Sequence, residues 1–192
     1  MNHDDIAAGW QRHTAVSAPC TETEMKARIA RWGEIPASDK AFVDTWIPGH
    51  ERKLFSVIGA GVSDDPNFRP KIGTAENFHV DYIVAPHGAG AALHCHDSEE
   101  VFFIHAGRWE VDWLDGGTGT LHTTTLAPRD LISVPPFVHR AFRSLDGEAG
   151  MMVSILGGKT PSPVKWDRSV ADAAIARGAG FDERGAAVKV GP

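Results

Sequence analysis

The chain has 192 residues, 42% of them hydrophobic and 23% charged, and a formal net charge of -6. That length suits one domain plus extensions with a sizeable core, since a chain of this order buries roughly 70% of the surface it exposes when unfolded. Nothing in the charge balance favours nucleic acid or an anionic membrane as partner, no apolar run approaches the roughly 20 residues of a spanning helix, and Cys20 and Cys95 are too few for a disulfide framework.

Sparse cysteine points to a reducing compartment. The acidic start "MNHDDIAAGWQRH" lacks the apolar segment of a signal peptide, so the expectation is a cytoplasmic protein. Residues 1–50 read as an N-terminal extension. Within it "TETEMKARIARWGEI" predicts a short helix, capped at Thr21 or Thr23 and ended by Gly33 and Pro36. Met25, Ile29 and Trp32 recur at helical spacing, which predicts an amphipathic helix lying on the core or on a second subunit.

From residue 51 to 158 the texture changes. Short apolar, β-branched or aromatic runs alternate with Gly, Pro and Asp: "KLFSVIG", "NFHVDYIVAP", "LHCH", "EVFFIH", "RWEVDWL", "LHTTTL", "LISVPP", "HRAFRSL" and "MMVSILGG". Turn signals such as "DGGTGT", "APRD" and "DGEAG" separate them. This is the pattern of an all-β sandwich or barrel, and no long helical period interrupts it. Residues 159–192 form a tail. There "VADAAIARGAG" predicts one short helix and "FDERGAAVKVGP" a mobile end.

The chemistry concentrates in "GAGAALHCHDSEEVFFIHAG", residues 88–107. If "LHCH" is extended, His94 and His96 share one face, with Leu93 and Cys95 on the other. After the polar link, Glu100 opens a new strand and shares a face with Phe102 and Ile104. On an inward face, two imidazoles and an otherwise unpaired carboxylate are costly unless a divalent cation holds them. His139, after the prolines of "VPPFVHRAF", is where a barrel could return a fourth ligand. His105, His79, His87 and His122 read as surface or supporting residues, Glu99 as a solvated turn residue, and Cys95 as a small hydrophobe.

These residues resemble the first cupin motif, a Gly, five residues, His-x-His, three or four residues, Glu, six residues and Gly: Gly88, His94, His96, Glu100 and Gly107 match every spacing. "DLISVPPFVHRAF" is similar to the second motif, with His139 as its histidine. It departs from that pattern at three points. Asp130 stands where Gly is usual, the Pro-x-Gly-x-x-His segment is shortened and lacks its Gly, and Arg143 stands where Asn is usual. The resemblance covers residues 51 to 158 and implies a double-stranded β-helix, a jelly-roll barrel, with short helical extensions at both ends.

It also implies one divalent transition metal held by His94, His96, Glu100 and His139. Fe(II) is favoured, with Zn, Ni, Mn or Cu possible, because imidazole suits them all. Phe102, on the face of Glu100, and the arginines Arg143 and Arg108, as clamps for a substrate carboxylate, are the candidates for binding substrate; of the other aromatics near by, Phe103, Trp109, Trp113, Phe137 and Phe142 suit barrel packing. The function so implied is an Fe(II) dioxygenase acting on a small aromatic or enolic substrate. The alternatives are a non-redox isomerase or lyase using the cation as Lewis acid, or a small-molecule-binding module without turnover. Open sheet edges and an apolar outer face add a homodimer to the expectations.

Overall fold

Alternation of buried and outward-facing residues builds the strands. In "EVFFIHA" the even positions Glu100, Phe102 and Ile104 are buried, while Val101, Phe103 and His105 turn outward. The same parity recurs in "FHVDYIV", where His79, Asp81 and Ile83 point in, and in "MMVSILG", where Met152, Ser154 and Leu156 do. The structure, a computed structural model, describes residues 3–10, 13–59, 62–147, 150–160 and 162–189.

In chain order the elements are α1 (His3–Trp10), α2 (Glu22–Ala27), β1 (Ala37–Ser38), β2 (Lys53–Ile58), β3 (Phe78–Val84), β4 (His94–Cys95), β5 (Glu100–Ala106), β6 (Trp109–Asp115), β7 (Thr120–Leu126), β8 (Leu131–Val134), β9 (Arg140–Ser144), β10 (Met151–Gly157), β11 (Lys165–Trp166), α3 (Arg168–Ile175), β12 (Ala179–Phe181) and β13 (Ala187–Lys189). One antiparallel sheet runs β1-β2-β3-β10-β5-β8 and the other β11-β4-β9-β6-β7. Together they make the expected all-β jelly roll with few helices.

Local chemistry sets the turns. In the β6–β7 hairpin the Asp115 side chain accepts from Gly117 N at 2.8 Å, and Gly119 takes a φ of 72°, which only a residue without Cβ adopts freely. Gly90 is demanded by close approach instead: a Cβ there would stand 1.9 Å from the Phe142 carbonyl oxygen. One end of the interior is a dry apolar core in which Phe102, Ile104, Trp109, Val111 and Met152 are fully buried. The other end carries the polar residues considered below.

Two expectations for the ends of the chain are corrected. The predicted helix, started by its Thr21–Glu24 capping box, runs for only six residues and stops at Ala27, and none of its residues is buried. Met25 and Ile29 are exposed, so the stripe does not lie on this chain's core; Trp32 alone reaches the barrel, its ring 4.7 Å from that of Phe55. In the tail α3 forms as predicted, but the stretch read as mobile pairs into the β12–β13 hairpin, Gly180 opposite Val188. Residues 190–192, also in that stretch, lie outside the described ones. Among the described residues no helix is long and apolar enough to cross a membrane.

Candidate metal centre

The barrel interior gathers His94, His96 and Glu100, one potential ligand atom from each lying within 4.8 Å of the others. All three are buried. Each imidazole is oriented by the backbone. His94 Nδ1 lies 2.7 Å from Ala92 O and His96 Nδ1 lies 3.2 Å from Ser162 O. A ring nitrogen facing a carbonyl must carry the proton, so Nε2 of both rings keeps its lone pair. Burial lowers the pKa of His94 well below the usual histidine range, helped by His96 and Arg140. Burial also lowers that of His96, against the opposing charge of Glu100. Both rings are therefore neutral at pH 7.

Glu100 is held at both oxygens. Ser154 Oγ donates to Oε1 at 2.7 Å, while Arg140 Nε donates to Oε2 at 3.0 Å, with Nη2 at the same distance from Oε2. His96 Nε2 lies 3.7 Å from Oε2. Two neutral nitrogen donors tied at their far ends, beside a carboxylate fixed by a hydroxyl and a guanidinium, form a donor set that fits a divalent transition metal.

The structure does not bring His139 into this group. It precedes β9, is half-buried, and its backbone carbonyl accepts from Leu114 N. Its side chain lies near Asp167, whose pKa is lowered first by hydrogen bonds from Ser169 and further by His139. The physical reason is strand parity. In β9 it is Arg140, Phe142 and Ser144 that face inward, and Arg140, fully buried, stands directly opposite His94 in the sheet. Counted from Pro135, the second motif is not shortened. Phe137 occupies the glycine position and takes a left-handed φ of 63°, and Arg140 occupies the histidine position.

The substrate candidates also move. Phe102 is wholly enclosed, its ring 5.2 Å from that of Phe142, in the dry core. Arg143 does share the face of His139, but that face is outside, where it pairs with Glu110 and, at 3.2 Å, with Asp112. Arg108 pairs with Asp146 at 2.8 Å at the surface. His79, read as a supporting or surface residue, is buried and inward-facing; His87 and His122 are exposed, as is His105. Glu99 is exposed and bonded to Ser133, and Cys95 is buried on a strand paired with Lys165.

Four groups that the sequence reading passed over, Arg52, Asp81, Arg140 and Ser154, complete the site. His94, His96 and Glu100 border a small cavity together with Arg52, Asp81, Ser154 and an apolar wall that includes Phe142 and Trp166. Asp81 is buried, and its Oδ1 has no hydrogen-bond partner. Burial raises its pKa to about 7, the charge of Glu100 adds to the rise, and hydrogen bonds from Ser56 and Val57 oppose it. Arg52 is tied to Asp44 at 2.8 Å, and Asp44 also accepts from Ala92 N, which anchors the strand of His94. A lone acid at an inward position of an apolar alternating strand was the available signal for Asp81. For Arg140 the signal was the five-residue step from Pro135.

Residues 80–156 match the family model described as a cupin domain. A comparison with curated proteins finds no match. Among solved structures the fold is similar to Peruvianin-I, a cysteine peptidase from Thevetia peruviana latex, with a TM-score of 0.51 and 12% identity over 77% of this chain and 84% of that one. It is also similar to an RmlC-like cupin from Shewanella frigidimarina, at 0.45 and 16% over 67% and 88%, and to KdgF from Halomonas sp., at 0.42 and 13% over 58% and 80%. At such identities the likeness concerns the fold alone.

Proposed function

The chain belongs to the cupin superfamily, and from that premise we propose that it is a metal-dependent oxidoreductase, an Fe(II) dioxygenase acting on a small aromatic or enolic substrate, with His94, His96 and Glu100 as the protein ligands. One observation carries the reading: two backbone-oriented imidazoles and one carboxylate within 4.8 Å, with no fourth protein donor among the described residues. A two-His, one-carboxylate set with open positions is the donor pattern of non-haem Fe(II) oxygenases. When bound, the ion would supply redox capacity and a common centre for dioxygen and substrate.

The chain's own residues supply the rest. Ser154 and Arg140 hold Glu100 in one orientation as a carboxylate. The apolar wall around Phe142 and Trp166 excludes bulk water. Asp81 Oδ1, with a pKa of about 7, can take the proton of an enol or return it to carbon. Asp81 also supports a second reading, a proton-shuttling isomerase or lyase using the same ion as Lewis acid.

The test is anaerobic Fe(II) loading, followed by an oxygen electrode with small β-diketones as enolic probes. Expected are one iron per chain, its loss in the His94→Ala and His96→Ala variants, and oxygen uptake matched to substrate loss. Iron binding that survives removal of both histidines overturns the metal reading. Turnover under strict anaerobiosis overturns the oxygenase and supports the isomerase. The uncovered Met25 and Ile29 further support self-association, against which a monomeric mass in solution would count.

A further inference from the structure

Arg140 decides the charge of the site, and with it the class of ligand. A buried guanidinium cannot lose its proton. Its Nε and Nη2 both lie 3.0 Å from Glu100 Oε2, so the single carboxylate of the donor set is already neutralised by the protein. The second buried arginine on the cavity, Arg52, is likewise cancelled by Asp44 at 2.8 Å. The imidazoles contribute no charge as ligands. A dication held by His94, His96 and Glu100 would therefore keep its charge uncompensated. Asp81, the remaining acid on the cavity, removes one unit at most. Asp64, off the cavity but close to Arg52 and Asp44, offsets part of a further unit, and the site stays positive while Asp81 holds its proton.

Resting on the metal reading above, we infer that the loaded site takes a small anionic ligand, a carboxylate or enolate rather than a neutral ketone or alcohol, and that Arg140 sets this preference by occupying the charge of Glu100. Arg140 acts through Glu100 and is a positioning residue. It does not itself border the cavity, whose polar wall is made by His94, His96, Glu100, Asp81, Arg52 and Ser154. In a low-dielectric interior an uncompensated charge attracts a counter-ion far more strongly than at the surface.

The test uses Co(II) as spectroscopic probe in the full chain. Its visible band reports metal binding, and changes in that band report a further ligand. Wild-type protein is titrated with azide and with acetonitrile, a neutral linear molecule also of three heavy atoms. Azide is expected to perturb the band at concentrations about tenfold or more below those at which acetonitrile does. Arg140→Gln should tighten Co(II) and weaken azide, each by about tenfold or more, because a nearby positive charge repels the first and attracts the second. Arg140→Lys should keep the wild-type order. A merely structural loss would weaken both affinities together, so the opposite directions are the signature.

If Co(II) gives no band in wild-type protein, or one that survives loss of both histidines, the metal reading fails and this inference with it. If Co(II) binds through the histidines but azide and acetonitrile bind alike, or Arg140→Gln leaves azide affinity unchanged, only this inference fails. The wild-type comparison stands even if Arg140→Gln does not fold.

Discussion

The buried acid Asp81 gives a stability prediction of defined sign. Asp81 on β3 is buried, and its pKa rises from 3.8 to about 7. Between those values the folded chain holds a proton that the unfolded chain has released, so stability must fall as pH rises through that window. A difference of about three units, at 1.36 kcal/mol each, amounts to about 4 kcal/mol lost by about pH 8 and nothing lost below about pH 4. Asp81→Asn keeps the shape and removes the titration. In urea unfolding of chelator-treated protein, the variant should exceed wild type by about 4 kcal/mol at about pH 8, the gap closing towards about pH 4. Titrating groups that do not interact with Asp81 are common to both proteins and cancel. A gap independent of pH, or one that widens towards acid, would refute the claim that Asp81 is buried without a compensating charge in the metal-free protein.

Other perturbations bear on the same scaffold. Gly90→Ala should cost about 3 kcal/mol or more in chemical denaturation, because its Cβ would stand 1.9 Å from the Phe142 carbonyl oxygen and the atoms it meets are backbone of Phe142 and Arg143, which cannot swing aside. Ser154→Ala removes the 2.7 Å hydrogen bond to the Glu100 carboxylate and should cost about 1.5–3 kcal/mol, read from the urea midpoint at neutral pH. Burial lowers the pKa of His79 below 6.5, so the unfolded chain takes up its proton first as pH falls. Stability should drop below that value, and His79→Asn should flatten the drop in a pH series of thermal melts.

The barrel was legible because its strands alternate strictly and its turns are written in Gly, Asp and Pro. The spacing of His94, His96 and Glu100 was legible because a two-residue period converts directly into a shared face. His139 misled for a physical reason. A histidine beside two prolines looks like a ligand, but the face it takes depends on the register of β9, and a shift of one residue exchanges the inward and outward sets. That register is fixed by Arg140 opposite His94 and by Phe137 in the left-handed region at the turn, neither of which periodicity announces. Arg143 followed the same parity outward, and Phe102, on the inward face as expected, lies one layer too deep in the dry core. The N-terminal stripe failed differently: Met25 and Ile29 have helical spacing but no surface of this chain beneath them.

The distribution of polarity within the barrel is itself an argument for a ligand. Trp109, Phe102, Ile104, Val111 and Met152 fill one end with Ser144 as an uncharged polar neighbour, so this fold packs that end without interior charge. The open end nevertheless buries Arg140 with Glu100, Arg52 with Asp44, and Asp81 with an unpaired oxygen. Buried ion pairs are commonly no more stabilising than apolar residues of the same volume, and an unpaired acid is worse. The alternation that puts Ile83 inward on β3 also puts Asp81 inward, and a leucine there would extend the core by one layer. A polar layer confined to the one end where two imidazole Nε2 atoms and a carboxylate oxygen converge costs stability for which packing offers no return. Binding something at that end does.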